Sequence, residues 1–97
     1  MSKDDYRAVP WSAHDLEVYP CGVRAGTRLR LRKDLAQQDH TGRPTGKVYP
    51  AGGVWQAIQG MSSEPEVVWL LQPDGAMHTW DDDSLLDWFE VESEPKP

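Results

Sequence analysis

The stretch GGVWQAIQGMSSEPEVVWLLQPDGAMHTW, residues 52–80, holds three short apolar runs separated by turn signals, and its reading decides the fold. Strand side chains alternate with period two, so residues 54–59 place Val54, Gln56 and Ile58 on one face and Trp55, Ala57 and Gln59 on the other. Apolar residues on both faces predict a strand covered on both sides. Residues 66–72 set Val67, Trp69 and Leu71 against Val68 and Leu70, a near-continuous β-branched and aromatic run of the kind found in a central strand. The segment GMSSEP, 60–65, interrupts both helix and ladder and reads as a hairpin loop. In Gln72-Pro73-Asp74-Gly75, Pro73 presets φ, Asp74 can bond its own backbone and Gly75 can turn left-handed. The chain returns through residues 76–80, where Met77 and Thr79 alternate with His78 and Trp80. The prediction is a three-stranded antiparallel meander.

Upstream, TRLRLRK at 27–33 alternates Leu29 and Leu31 with Arg28, Arg30 and Arg32, which predicts a half-buried strand with a basic outer row that discourages edge-to-edge pairing. Residues 34–48 carry Asp39, His40, Gly42, Pro44 and Gly46 with no apolar period and read as a long irregular loop, either functional or mobile at that length. Residues 49–53 (YPAGG) read as a bend into the meander. Residues 1–22 read as an irregular N-terminal arm with a helical turn around 12–18 capped by Ser12, and with Trp11 or Tyr19 packed on its own domain. Downstream, Asp81, Asp82 and Asp83 before Ser84 and LLDWF suit the start of one helical turn, their carboxylates accepting its orphan N–H groups. Phe89-Glu90-Val91 reads as a closing strand with Phe89 and Val91 inward, and the polar tail at 92–97 as disordered.

Ninety-seven residues fit one domain, here 23–91, able to bury a modest core. The single Cys21 excludes an internal disulfide, and no apolar run approaches the ~20 residues of a membrane span. The N-terminus lacks the apolar core of a signal peptide, so a cytoplasmic location and no membrane partner are expected. The formal charge of −6 disfavours non-specific binding to nucleic acid or anionic lipid. It is unevenly spread: residues 1–33 carry seven Lys or Arg against four Asp or Glu, residues 34–97 three against twelve, so the segments come to +3 and −9.

A strand, a long irregular loop, a three-stranded meander, one helical turn and a short closing strand, in that order over residues 27–91, resemble the SH3-like small β-barrel. The resemblance lies in element order and loop length. The ALYDY and SNY segments of eukaryotic SH3 domains are absent, so it does not carry proline-rich ligand binding to particular residues. The Val-Gln-Ile-Tyr motif of the SH3-like plasmid-borne dihydrofolate reductases is absent too, which leaves that activity without residues. The fold class implied is mainly all-β, a small barrel of about five antiparallel strands with one helical turn near the C-terminus and an irregular N-terminal arm.

Five Trp are the compositional oddity, and Trp is frequent both in small cores and at interaction surfaces. With Trp55 and Trp69 inward, Trp80, Trp88 and Trp11 remain as a candidate exposed cluster beside the acidic turn, suited to a basic peptide or a cation over a ring. The candidate partner-binding residues are accordingly Trp80, Asp81, Asp82 and Trp88, with His40 and Arg43 from the long loop. No catalytic, cofactor or metal site is expected. Asp81, Asp82 and Asp83 with Asp74 and His78 lack a calcium-loop pattern and serve better as helix caps. His14, His40 and His78 have no zinc spacing, and GRPTGK at 42–47 fails the phosphate-loop pattern. Cys21 has only Arg24 nearby in sequence to activate it.

These residues point first to a non-enzymatic protein-interaction module, a monomer with a protein partner not named by its sequence. The second reading is a small acidic inhibitor or nucleic-acid mimic of phage or mobile-element type, presenting carboxylates to a basic groove. The third is a nucleic-acid binder through the basic row at 24–33, less favoured because no aromatic residue is interleaved there. An enzyme comes last, since no acid, base and nucleophile set assembles from these residues.

Overall fold

The computed structural model describes residues 13–95. Seven strands follow in chain order: β1 (Arg28–Leu31), β2 (Leu35–Gln38), β3 (Pro44–Tyr49), β4 (Val54–Ala57), β5 (Val67–Leu71), β6 (Met77–Asp81) and β7 (Phe89–Ser93). Five make one antiparallel sheet in the order β6-β5-β4-β1-β7, and β2 pairs with β3 as a separate hairpin. A 3-10 turn, Asp82–Ser84, runs into the one-turn helix α1 (Leu85–Trp88) between β6 and β7. The chain is thus small, mainly β and antiparallel, with β6 and β7 as the edges of the main sheet rather than partners closing a barrel.

Alternation sets the core. Leu29 and Leu31 of β1, Trp55 and Ala57 of β4 and Val68 and Leu70 of β5 are buried together with Leu85 and Phe89 from the C-terminal turn. β5 is apolar on both faces because both are covered: Val68 and Leu70 meet the core, while Trp69 on the reverse is buried against His14, ring to ring at 5.4 Å. The basic row of β1 does not protect an edge. β1 lies inside the sheet between β4 and β7, and Arg30 is ion-paired with Glu92 of β7. Phe89 is inward as the pattern predicts. Val91, opposite Leu29, remains 47% exposed because among the described residues no strand lies beyond β7.

The arm is where expectation and structure diverge most. Trp11 lies outside the described residues. The helical turn around 12–18 is not formed over its described part beyond Ala13: Leu16 exchanges both backbone hydrogen bonds with Gly60 at 2.9 Å, and Val18 bridges Arg24. An extended backbone there satisfies groups of the 60–66 connection that a helix would leave open. This delivers Tyr19 into the core at 1% exposure. Its hydroxyl donates to the Ile58 carbonyl at 2.5 Å and accepts from the Trp69 amide at 3.1 Å, wedging between the chain just past β4 and the middle of β5. Gly60 permits the wedge, since a Cβ there would stand 2.7 Å from the Tyr19 ring and hydroxyl.

Residues 34–48 are not irregular but form the hairpin β2–β3. Its strands lack an alternating pattern because β3 is exposed from Pro44 to Val48, so no apolar face is needed. The tip is fixed chemically: the Asp39 carboxylate accepts from the Thr41 amide and hydroxyl and from the Arg43 amide, which holds its pKa below the usual carboxylate value. Three turns of the chain share one construction. In Tyr19-Pro20-Cys21-Gly22, Asp39-His40-Thr41-Gly42 and Gln72-Pro73-Asp74-Gly75, the glycine amide returns to the first residue's carbonyl, and each glycine has φ near +90° (93°, 87° and 87°). That is a turn followed by a left-handed bulge position, where side-chain-bearing residues are strained.

Candidate functional site

A cleft of about 880 Å³ separates the β2–β3 hairpin from the β5–β6 hairpin. The hairpin side offers Leu35, Gln37, Asp39, His40 and Tyr49, and the sheet side offers Gln72, Met77, His78 and Trp80. Below the cleft, Trp55 is a hub, its ring meeting Tyr49, His78, Trp80 and Phe89 edge-on at centroid separations of 5.2–6.5 Å.

A polar chain fixes the cleft's base. The Tyr49 hydroxyl donates to Gln72 Oε1 at 3.0 Å and accepts from Gln37 Nε2 at 3.2 Å, while Gln37 Oε1 accepts from Thr45 Oγ1 at 2.8 Å. Lys47 Nζ pairs with Asp74 at 2.7 Å across the two hairpins and lies 4.9 Å from the Tyr49 ring centroid. The hydrogen bond with Asp74 raises the Lys47 pKa, and its counterpart lowers that of Asp74. Both ends of the pair are well exposed, so salt screens it.

Burial lowers the His78 pKa from its ordinary 6.5 and favours the neutral ring. In the unfolded chain the same imidazole protonates at its ordinary value, so below pH ~6.5 the unfolded state binds a proton that the folded state resists. Stability is therefore expected to fall as pH drops through this value and on toward the folded pKa. Thermal melts between pH 7.5 and pH 5 should show a steeper loss for wild type than for His78→Gln, and parallel curves would refute the assignment.

A second depression, about 330 Å³, lies at the other end of β6 and is lined by Val67, Thr79, Trp80, Asp81, Ser84 and Trp88. Trp80 lines both depressions, is half-buried, and packs edge-on against Trp88 at 5.7 Å. The face of Trp88 already carries a cation, with Lys33 Nζ 4.3 Å from its ring centroid.

The structure brings Trp80, Asp81 and Trp88 together in the second depression and places His40 with Trp80 in the first. It does not bring Arg43 or Asp82 into either lining. Arg43 sits exposed beside the hairpin tip. Asp82 is a structural clamp, accepting the Cys21 amide at 3.1 Å; neither it nor the other acids cap the helical turn through a side chain. The acid run works 61 positions away along the chain rather than on its own helix end. Among the described residues no cluster of three metal-ligating groups forms. Cys21 is half-buried and its thiol pKa is raised by burial, the opposite of an activated nucleophile.

Sequence reasoning missed Tyr49, Gln72, Met77 and His78 as cleft residues. The one local signal lay in Asp39-His40-Thr41-Gly42, a turn that would have declared a hairpin though not its place over the sheet. No helix of the described residues is long and apolar enough to cross a membrane. No known family, no curated protein and no solved structure matches the chain.

Proposed function

We propose that the chain is a non-enzymatic protein-interaction module on an SH3-like plan, a monomer that engages its partner through the cleft and the Trp80 edge. The SH3-like reading is supported by the order β7-β1-β4-β5-β6, by the hairpin inserted between β1 and β4, and by the helical turn between β6 and β7. The single observation that carries the interaction reading is Trp80: a half-buried indole on an edge strand, forming the common wall of two depressions and facing a hairpin that is itself largely exposed. Large aromatics in such positions dominate interfaces, each worth about 2 kcal/mol or more on truncation.

Affinity capture from the native host tests it, with Trp80→Ala and Trp88→Ala beside wild type and circular dichroism verifying that each variant is folded. The expected result is a partner whose retention drops about thirtyfold or more with Trp80→Ala. Capture unchanged in both variants sinks the reading. The acidic-mimic reading draws on the exposed Asp81, Asp83 and Asp87, which have no ion pair among the described residues, and requires a complex that salt dissolves. The nucleic-acid reading is weakened by the fate of its basic row: Arg30 is paired with Glu92, Arg32 Nε donates to the Phe89 carbonyl, and Lys33 lies over Trp88.

A further inference from the structure

Among the described residues, β6 is paired on one side only. In its ladder with β5, the Gln72 amide donates to the Ala76 carbonyl at 2.8 Å and the Asp82 amide to the Glu66 carbonyl at 2.9 Å, with Leu70 opposite His78 and Val68 opposite Trp80. Antiparallel alternation then turns the N–H and C=O of His78 and Trp80 toward β5 and those of Met77, Thr79 and Asp81 outward. Of these outward groups, the Asp81 carbonyl is already taken: Asp81 is the N-cap of the 3-10 turn, so its carbonyl accepts the first bond of that turn, and Ser84 Oγ lies 3.4 Å from it. Both depressions follow this edge, the first beside Ala76, Met77, His78 and Trp80 and the second beside Thr79, Trp80 and Asp81. Among the described residues, the outward donors and acceptors of Met77 and Thr79 and the Asp81 amide thus run unpaired along a groove.

Charge selects the occupant. Asp81, Asp83 and Asp87 are exposed without ion pairs among the described residues, whereas the adjoining cations are engaged, Lys47 with Asp74 and Lys33 over the Trp88 face. Residues 34–97 carry −9, so a second copy would bring its own acidic edge against this one. We infer that the β6 edge takes up an extended basic segment of a partner protein as an added strand. The segment bonds to the outward groups of Met77 and Thr79 and to the Asp81 amide, and lays a Lys or Arg against Trp80 beside Asp81. This rests on the interaction-module reading and names its mode and partner chemistry.

The test uses the full chain, isotope-labelled for amide NMR, and the capped peptide Val-Lys-Val-Lys-Val-Lys-Val. Two control peptides replace its Lys by Glu or N-methylate alternate backbone amides. The expected result is slowed exchange and shifted resonances at the Met77, Thr79 and Asp81 amides, with binding about tenfold weaker or more for each control. No binding, equal binding of either control, or shifts confined elsewhere overturns strand addition. Protection of the edge amides that grows with protein concentration in the absence of peptide also overturns it, making a second copy the occupant. Capture that depends on Trp80 with edge amides untouched by the peptide rejects strand addition and leaves the module reading standing. Edge protection by the Lys peptide with capture indifferent to Trp80 supports strand addition and removes the Trp80 interface.

Discussion

Tyr19→Ala should cost about 3–5 kcal/mol in urea denaturation, as for other large buried aromatics truncated to Ala. Small domains have about 5–15 kcal/mol of stability in total, so this variant loses a large part of it. The ring is buried at 1% exposure, and its hydroxyl serves Ile58, one residue past β4, and Trp69, in the middle of β5. Tyr19→Phe separates the parts: it keeps the packing but deprives the Ile58 carbonyl of a donor and the Trp69 amide of an acceptor, a loss of about 1–3 kcal/mol for each group left buried. Gly60→Ala should be comparably harmful, because its Cβ would stand 2.7 Å from the ring and from the hydroxyl. In the Tyr19→Ala background the clash disappears, so the double variant should lose less than the sum of the two. Strict additivity would show that the wedge is not what Gly60 accommodates.

Trp55→Ala should cost a similar amount, about 3–5 kcal/mol. The indole is 1% exposed and touches Tyr49, His78, Trp80 and Phe89, so its removal empties the floor of the cleft and frees Trp80 to reorient. Trp55→Phe should be far milder. The indole Nε1–H meets no acceptor among the described residues, so no hydrogen bond is lost and a buried polar group is removed. Denaturant midpoints for both variants, with intrinsic fluorescence following the remaining indoles, would check the contrast. A Phe variant as unstable as the Ala variant would reveal a bond to Nε1 that this packing does not contain.

The fold was legible wherever burial imposes alternation. Leu29 and Leu31, Trp55 and Ala57, and Val68 and Leu70 lie on the core face that period two assigns them, and Gln72-Pro73-Asp74-Gly75 turns as its residues dictate. It was illegible where alternation is not needed or where distant residues set the conformation. β3 is exposed from Pro44 to Val48, so nothing in its hydrophobicity marks it as a strand; only its turn chemistry does. The extended course of Leu16 and Val18 depends on Gly60 and Arg24, and the helix-start pattern nearby could not reveal those partners. The site followed the same division. Trp80, Asp81 and Trp88 could be grouped because they are close in sequence, while Tyr49, Gln72 and His78 enter the cleft only once the hairpin is placed over the sheet.

The Tyr19 wedge also has a consequence in time. Its acceptor and donor lie 39 and 50 residues further along the chain. At ribosomal rates they emerge roughly two to ten seconds after Tyr19 itself. Through that interval the β4–β5 junction does not yet exist, and the N-terminal arm has no place to settle. The Tyr19 ring must wait uncovered until then, so a segment made before β4 and β5 is locked only after them. Whatever holds the nascent chain during those seconds, ribosome surface or chaperone, meets the Tyr19 ring before the finished core does.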